Sequence, residues 1–293
     1  MRSGRIDAPA KLNLTLEIFG RRDDGFHTLR SVVVPLALSD TLSWEPAPAY
    51  RFGCSDASLV DGENLVERAA RMLNLDRCGV ALHLEKRIPI GAGLGGGSSD
   101  AAALLRAAQR GAFPEIDRQR DWLSLARRLG SDVPLFLTET AVFVEHTGER
   151  LTPLGPCPTW AAILCIPPLH ICTTTAYAQL DAERSTPPAT RPRATSASIH
   201  LGTALQRADF DAVQGLLVND FTTSTLKHHP LLANIVEQAS RLGVGLHLTG
   251  SGSTLFALER DPARAEHTAL RLREHLDGDL TILTTTLRRE TTW

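Results

Sequence analysis

The distribution of apolar residues predicts an α+β protein in which helices cover antiparallel sheets, divided into two domains that share a cleft. Three observations support this. Leu12, Leu14, Leu16 and Ile18 alternate with Lys11, Asn13, Thr15 and Glu17, the period of two that marks a half-buried strand. Two segments with helical spacing stop at Gly111 and Gly130, as glycine C-caps do. A chain of 293 residues is long for one core and short for three.

The elements follow in order. After the strand over 11–18, Asp24-Gly25 is a turn signal, and Leu29 to Leu38 with Thr41 to Glu45 read as further strand on either side of a Ser39-Asp40 turn. Asn64 to Leu73 has helical spacing, Val80 to Lys86 alternates again, and an Ala-rich helix runs from Ser98 to Arg110. Trp122 to Leu129 is amphipathic, and strands at Ala141 to Glu145 and Glu149 to Thr152 flank a Thr147-Gly148 turn. The chain changes character at Pro153 to Pro158. Beyond it come an apolar strand at Trp160 to Ile166, a helix starting at Thr174, and helices near Ile199 to Arg207, Phe210 to Val218 and Leu231 to Leu242. Glu183 to Ser198, rich in Pro, Thr, Ser and Arg, reads as a mobile surface loop. The last elements are strand (Val244 to Leu248), glycine turn, strand (Leu255 to Leu258), helix (Pro262 to Leu276) and strand (Leu280 to Leu287).

Composition narrows the function. A formal charge of -2 with lysine and arginine spread along the chain presents no basic face for nucleic acid. The longest apolar runs, Val32 to Leu38 and Ala161 to Ile166, fall far below a membrane span, and the N-terminus has no apolar signal region. A cytoplasmic protein without membrane or nucleic-acid partners is expected, a monomer or weak homodimer acting on small molecules. Cys54, Cys78, Cys157, Cys165 and Cys172 form no C-x-x-C pair and read as reduced, mostly buried side chains.

The strongest local signal is Pro89-Ile90-Gly91-Ala92-Gly93-Leu94-Gly95-Gly96-Gly97-Ser98-Ser99, with five glycines between Gly91 and Gly97. Ordering so many glycines is entropically costly, so the run needs a reason beyond connecting a strand to a helix. Without side chains, successive N–H groups can converge on an anion, and the N-terminus of the next helix adds unpaired N–H groups and partial positive charge. Ser98 and Ser99 can add hydroxyls, or a metal ligand. Walker A fails for want of Gly-Lys-Ser/Thr, and a protein-kinase loop would be followed by a V-A-I-K strand. Gly91-x-Gly93-x-x-Gly96 satisfies the dinucleotide fingerprint literally, which would make the protein a nicotinamide-dependent oxidoreductase. Its context argues against that: a buried parallel strand should run apolar into the first glycine, whereas Lys86-Arg87-Ile88-Pro89 intervenes.

Pro-x-x-x-Gly-Leu-Gly followed by Ser-Ser-x-Ala-Ala resembles the phosphate loop of the GHMP kinases. Pro9-Ala10-Lys11-Leu12-Asn13-Leu14, Asp24-Gly25-Phe26-His27, Gly130-Ser131-Asp132-Val133-Pro134 and Thr249-Gly250-Ser251-Gly252-Ser253-Thr254 extend the resemblance over nearly the whole chain. It resembles the branch that phosphorylates a cytidine-diphosphate-linked sugar alcohol for isoprenoid synthesis. The resemblance implies ATP as co-substrate, with Mg²⁺ expected from phosphoryl-transfer chemistry, although its protein ligands are unknown. It also implies an N-terminal domain over 1–155, a ferredoxin-like C-terminal domain over 156–293, and an active site in the cleft between domains. Mevalonate, homoserine or sugar kinases of the same family are the alternatives.

The resemblance further implies roles. Asp132 is the catalytic aspartate, and Lys11 neighbours it and the reacting hydroxyl. Read locally, Asp132 is also a helix N-cap candidate, and Lys11 a solvated strand residue. Gly91, Gly93, Leu94, Gly95, Gly96, Gly97, Ser98 and Ser99 hold ATP phosphates, with Asn64 and Lys86 near the adenine and sugar; Asn64 is equally a helix cap. Asn13, Thr173, Gly250 and Ser251 join Asp132 on the substrate side. Phe26 stacks on cytosine, His27 hydrogen-bonds the base, and Tyr177 covers its other face. Tyrosine is usual at position 26, so Phe26 keeps the ring and loses a hydroxyl.

Overall fold

The alternation that begins at Lys11 belongs to a strand longer than the pattern suggests, β1 (Gly4–Arg21). The structure, a computed structural model, describes residues 1–60, 64–184 and 196–289. β1 is buried on both faces over most of its middle, with Thr15 and Lys11 enclosed as well as the leucines. The polar positions are covered because they have tertiary partners, described below. β2 (His27–Pro46) likewise runs straight through Ser39 and Asp40, where the sequence predicts a turn. Asp40 is fully buried, and its carboxylate accepts the backbone N–H groups of Arg87 and Ile88, which satisfy it without any chain reversal.

The chain forms two compact units that interleave along the sequence. One comprises Met1–Ala10, Leu38–Ile90 and Gly95–Glu139. In it β3 (Arg51–Cys54) pairs parallel with β4 (Val80–Glu85), and β4 pairs antiparallel with Thr41–Pro46 of β2. Three helices cover this sheet: α1 (Leu65–Met72), α2 (Gly96–Gln109) and α3 (Trp122–Leu129). α2 is buried all round from Ser99 to Ala108, which its run of alanines permits by letting neighbours approach on every side. It stops where the sequence predicts, at Gly111 with φ +87. Leu42, Trp44, Leu82, Leu84, Leu104 and Phe113 belong to one core, with Trp44 tilted on Phe113 at 5.6 Å.

The other unit holds Lys11–Ala37, Gly91–Leu94 and the chain from Thr140. β5 (Ala141–His146) pairs antiparallel with residues 29–33 of β2 and forms a hairpin with β6 (Arg150–Gly155). A second sheet has the order β11-β7-β10-β9, all antiparallel, formed by β7 (Ala161–Ile166), β9 (His247–Leu248), β10 (Leu255–Glu259) and β11 (Thr281–Thr286). The remaining elements are α4 (Thr173–Glu183), α5 (Ala197–Gln206), α6 (Phe210–Leu216), β8 (Val218–Asn219), α7 (Thr222–His228), α8 (Pro230–Arg241) and α9 (Pro262–His275). α4, α8 and α9 supply Ala176, Leu180, Leu232, Ile235, Ala269 and Leu272 to this unit's core.

The differences from expectation have local causes. Val218 ends no helix: it starts β8, which pairs parallel with Thr15 and Leu16 of β1. α7 is absent from the sequence reading because Thr222-Thr-Ser-Thr is poor in helix formers; Phe221 at its start lies in this unit's core and Leu226 packs against it, which favours the helix. The strand expected over Val244 to Leu248 keeps only His247 and Leu248; Gly245, inside the expected span, weakens it. Most of the loop expected at Glu183 to Ser198, residues 185–195, lies outside the described residues. Among the described residues no helix is long and apolar enough to cross a membrane.

Candidate active site

β1 holds Lys11 and Asn13 two residues apart, hence on one face. Lys11 is 5 % exposed, and its Nζ donates to Asn13 Oδ1 at 2.7 Å and to the Gly93 carbonyl at 2.7 Å. Asn13 Nδ2 in turn donates to Ser31 Oγ of β2 at 2.8 Å, and Ser31 Oγ donates to the Thr15 carbonyl at 2.5 Å. Ser31, which no sequence pattern singles out, thereby sets the orientation of the Asn13 amide. Lys11 is thus no solvated strand lysine.

The first half of the glycine loop is fastened to the same place. The Lys11 N–H donates to the Leu94 carbonyl at 3.0 Å, and Thr254 Oγ1 donates to the Ala92 carbonyl at 2.6 Å. Gly91 and Gly93 have φ +71 and +76, and a Cβ on Gly93 would meet the Gly252 carbonyl oxygen at 2.5 Å. The two glycine-rich segments, far apart in sequence, approach so closely that Gly93 has no room for a side chain. The Thr249–Thr254 turn is held by the Asn13 N–H on Thr249 Oγ1 at 2.9 Å and by Asn219 Nδ2 on the Leu248 and Gly250 carbonyls. Gly250 lies against Lys11, its Cβ position being 3.3 Å from Nζ, and Ser251 Oγ is 3.2 Å from Thr173 Oγ1. Lys11, Asn13, Gly93, Gly250, Ser251 and Thr173 are therefore brought together as neighbours.

The second half of the loop opens α2. Its N-cap is Gly95, with φ +76 and no side chain to cap, so the N–H groups of Gly96, Gly97 and Ser98 have no helical acceptor. A Cβ on Gly97 would meet nothing within 4 Å, and Ser99 Oγ is buried with no hydrogen-bond partner. This arrangement suits anionic oxygen.

Three predicted residues have structural partners. Asn64 Oδ1 accepts from the Val66 N–H at 2.8 Å and caps α1. Lys86, expected beside adenine, directs its Nζ to Asp40 Oδ2 at 2.5 Å and Asp100 Oδ2 at 2.7 Å, with its side chain 8 % exposed. His27 Nε2 donates to Asp181 Oδ1 at 2.8 Å, and its ring stacks on Tyr177 at 4.8 Å; Tyr177 thus lies on histidine here. Phe26, by contrast, is 65 % exposed after the Asp24-Gly25 turn, the solvent-facing ring expected at the tip. Asp132 precedes a 3₁₀ turn over Val133–Leu137 with Pro134 in its first positions, and its side chain makes no capping hydrogen bond.

Burial pushes the Asp100 carboxyl up to about 8; the Lys86 ammonium pulls it down and the Asp40 carboxylate adds to the rise. Burial works against the Lys86 ammonium, but the charges of Asp100 and Asp40 outweigh it and raise its pKa. In the unfolded chain Asp100 ionises near its usual value of 3.8, and in the fold near 8. Between those values the unfolded state binds fewer protons, so this group's contribution to stability falls as pH rises. Asp100→Asn, a permanent mimic of the protonated form, is expected to flatten the fall in Tm between about pH 5 and about pH 8. Equal slopes for the two proteins in thermal melts would contradict it.

Residues 64–139 match the GHMP kinases N terminal domain, and residues 203–278 match GHMP kinases C terminal. The chain is 36% identical over 287 residues to the 4-diphosphocytidyl-2-C-methyl-D-erythritol kinase of Heliobacterium modesticaldum, covering 92% of this chain and 90% of the relative. It is 37% identical over 276 residues to that of Thiobacillus denitrificans, covering 92% and 91%. A crystal structure of 4-(cytidine 5'-diphospho)-2C-methyl-D-erythritol kinase superposes with TM-score 0.76 at 33% identity, covering 97% of this chain and 99% of that one. A homoserine kinase from Cytophaga hutchinsonii shares the fold, with TM-score 0.69 at 16% identity over 99% of this chain and 96% of that one.

Proposed function

The chain belongs to the GHMP kinases, in the family of the 4-diphosphocytidyl-2-C-methyl-D-erythritol kinases, and from that premise we propose that it phosphorylates 4-diphosphocytidyl-2-C-methyl-D-erythritol on its 2-hydroxyl, giving the 2-phosphate and ADP. As a member it is an ATP-dependent small-molecule kinase. In this reading residues 1–155 and 156–293 are the N- and C-terminal domains, in line with family matches at 64–139 and 203–278. The specific acceptor rests on one observation above the others. Phe26, a large ring 65 % exposed beside the Asp24-Gly25 turn, is suited to stacking on a nucleobase, and His27, held by Asp181 and Tyr177, follows it in the chain.

Phosphoryl transfer asks the protein mainly to position the reactants and to stabilise charge. In our reading the loop N–H groups at the start of α2 receive ATP phosphates, Asp132 takes the proton of the acceptor hydroxyl, and Lys11 offsets charge on the transferred group. Asn13, held by Ser31, fixes where the Lys11 ammonium points. Thr173, Gly250 and Ser251 would border the substrate. Mg²⁺ fits this site as an ion carried by the phosphates. No group of three His, Cys, Asp or Glu able to hold a metal occurs among the described residues, whereas Ser98 and the unpartnered Ser99 hydroxyl offer oxygen. When bound it would neutralise phosphate charge.

ADP release measured over a panel of the cytidine alcohol, mevalonate, homoserine and galactose tests the assignment. Turnover is expected with the cytidine alcohol alone, and turnover confined to another alcohol would overturn it. Phe26→Ala is expected to weaken the cytidine substrate by about 1–3 kcal/mol, the usual worth of one stacked base, and to leave KM for ATP unchanged. An unchanged KM for the alcohol would remove Phe26 from recognition.

A further inference from the structure

Lys86 reads from the resemblance as a nucleotide contact, yet its ammonium is held between two buried carboxyl side chains. Asp40 is 0 % exposed and Asp100 2 %. Asp40 Oδ1 accepts the N–H groups of Arg87 at 2.5 Å and Ile88 at 2.8 Å, and Oδ2 accepts Lys86 Nζ. These are the residues by which the chain leaves β4 and enters the glycine loop. Asp100, on the other side of the loop, lies just past the first turn of α2, immediately after Ser98 and Ser99. Lys86 therefore ties the chain before the loop to the chain after it.

Packing repeats the same connection. A Cβ on Gly96, the first residue of α2, would lie 3.1 Å from Ile88 Cγ2 and 3.4 Å from Asp40 Oδ2. The start of α2 thus rests directly on Ile88 and on the Asp40 carboxylate. An ammonium already bonded to two carboxyl side chains, and itself nearly enclosed, is a poor contact for adenine or ribose. It is well placed to keep the helix start, with its unpaired N–H groups, at a constant position.

We propose that Lys86 is a positioning residue: with Asp40 and Asp100 it forms a buried clamp that sets the geometry of the phosphate loop and touches no part of the nucleotide. The inference rests on the kinase reading above, and predicts that Lys86 governs affinity for phosphate groups irrespective of the base. Inorganic tripolyphosphate is the discriminating probe, because it has phosphates and neither base nor sugar.

Binding of ATP and of tripolyphosphate is measured by calorimetry on the full chain, with KM for ATP and for the cytidine alcohol measured in parallel. Two variants are used. Lys86→Met removes the central cation. Asp100→Ala frees α2 from the clamp while Lys86 keeps Asp40, and serves alone if the first variant does not fold. Both are expected to weaken ATP and tripolyphosphate by the same factor, on the order of 10-fold to 10²-fold, the scale of an ångström-level misplacement, while KM for the alcohol stays constant. Loss of ATP affinity with tripolyphosphate unchanged would overturn the proposal in favour of a base or sugar contact. A lowered melting temperature with both affinities unchanged would overturn it in favour of a purely structural cluster. Failure of the unmodified protein to bind ATP would instead defeat the kinase reading, so the two failures are distinguishable.

Discussion

Asp132→Asn is expected to lower kcat by about 10²-fold to 10⁴-fold, the usual contribution of a positioned general base, with ATP affinity retained. The side chain makes no capping hydrogen bond at the 3₁₀ turn that follows it, so the substitution removes no helix cap, and the amide has nearly the shape of the carboxylate. Stability should therefore stay within about 0.5 kcal/mol, as for substitutions that break no specific feature. What the variant loses is the ability to accept a proton from the acceptor hydroxyl. Steady-state turnover at saturating substrates, paired with calorimetric ATP binding, separates the two properties. Near-normal turnover would remove Asp132 from the mechanism, and loss of ATP binding would make it a nucleotide residue.

Gly93→Ala is the second large effect, and it acts through the backbone. At φ +76 an L residue is strained by about 1–2 kcal/mol. The new methyl would also lie 2.5 Å from the Gly252 carbonyl oxygen, an atom of the main chain with no rotamer by which to yield. One of the two glycine segments must move, and with it the Gly93 carbonyl that accepts from Lys11. Turnover is expected to fall on the order of 10²-fold or more, as misplaced reacting groups do, together with a drop in Tm. Gly97→Ala is the informative contrast. No atom lies within 4 Å of its Cβ position and the residue is helical, so alanine should stabilise α2 by about 0.5–1 kcal/mol. If Gly97 faces bound phosphate, the same methyl weakens ATP binding while raising Tm. A variant that is stabler and binds ATP as well as the parent would show that the bare backbone at 97 serves no ligand.

These contrasts show how unevenly the glycine loop can be read from sequence. An anion-binding reading is available from sequence because five glycines at and before a helix start have few other uses. Which glycine is sterically obligatory is not legible: Gly93 and Gly97 look alike in the sequence, and only the approach of the 249–254 turn distinguishes them. The same holds for charge. Lys11 and Lys86 both lie on strands or their ends among alternating residues, yet one meets the Gly93 carbonyl and Asn13 while the other is enclosed by Asp40 and Asp100. Their partners lie up to 82 residues away in the chain.

The sequence by itself determined what local chemistry can determine: the alternating strands, the helices that glycine ends, the turn that exposes Phe26, and the family that the motifs share. Tertiary structure alone decided that β2 passes straight through Ser39-Asp40, that Thr222 to His228 is helical, that Ser31 holds Asn13, that Asn219 holds the turn at Gly250, and that Asp100 meets Lys86. The physical reason is one of range. Period and turn chemistry act over a few residues and are written in order, whereas burying a carboxylate or a hydroxyl is favourable only if a partner arrives from elsewhere in the chain.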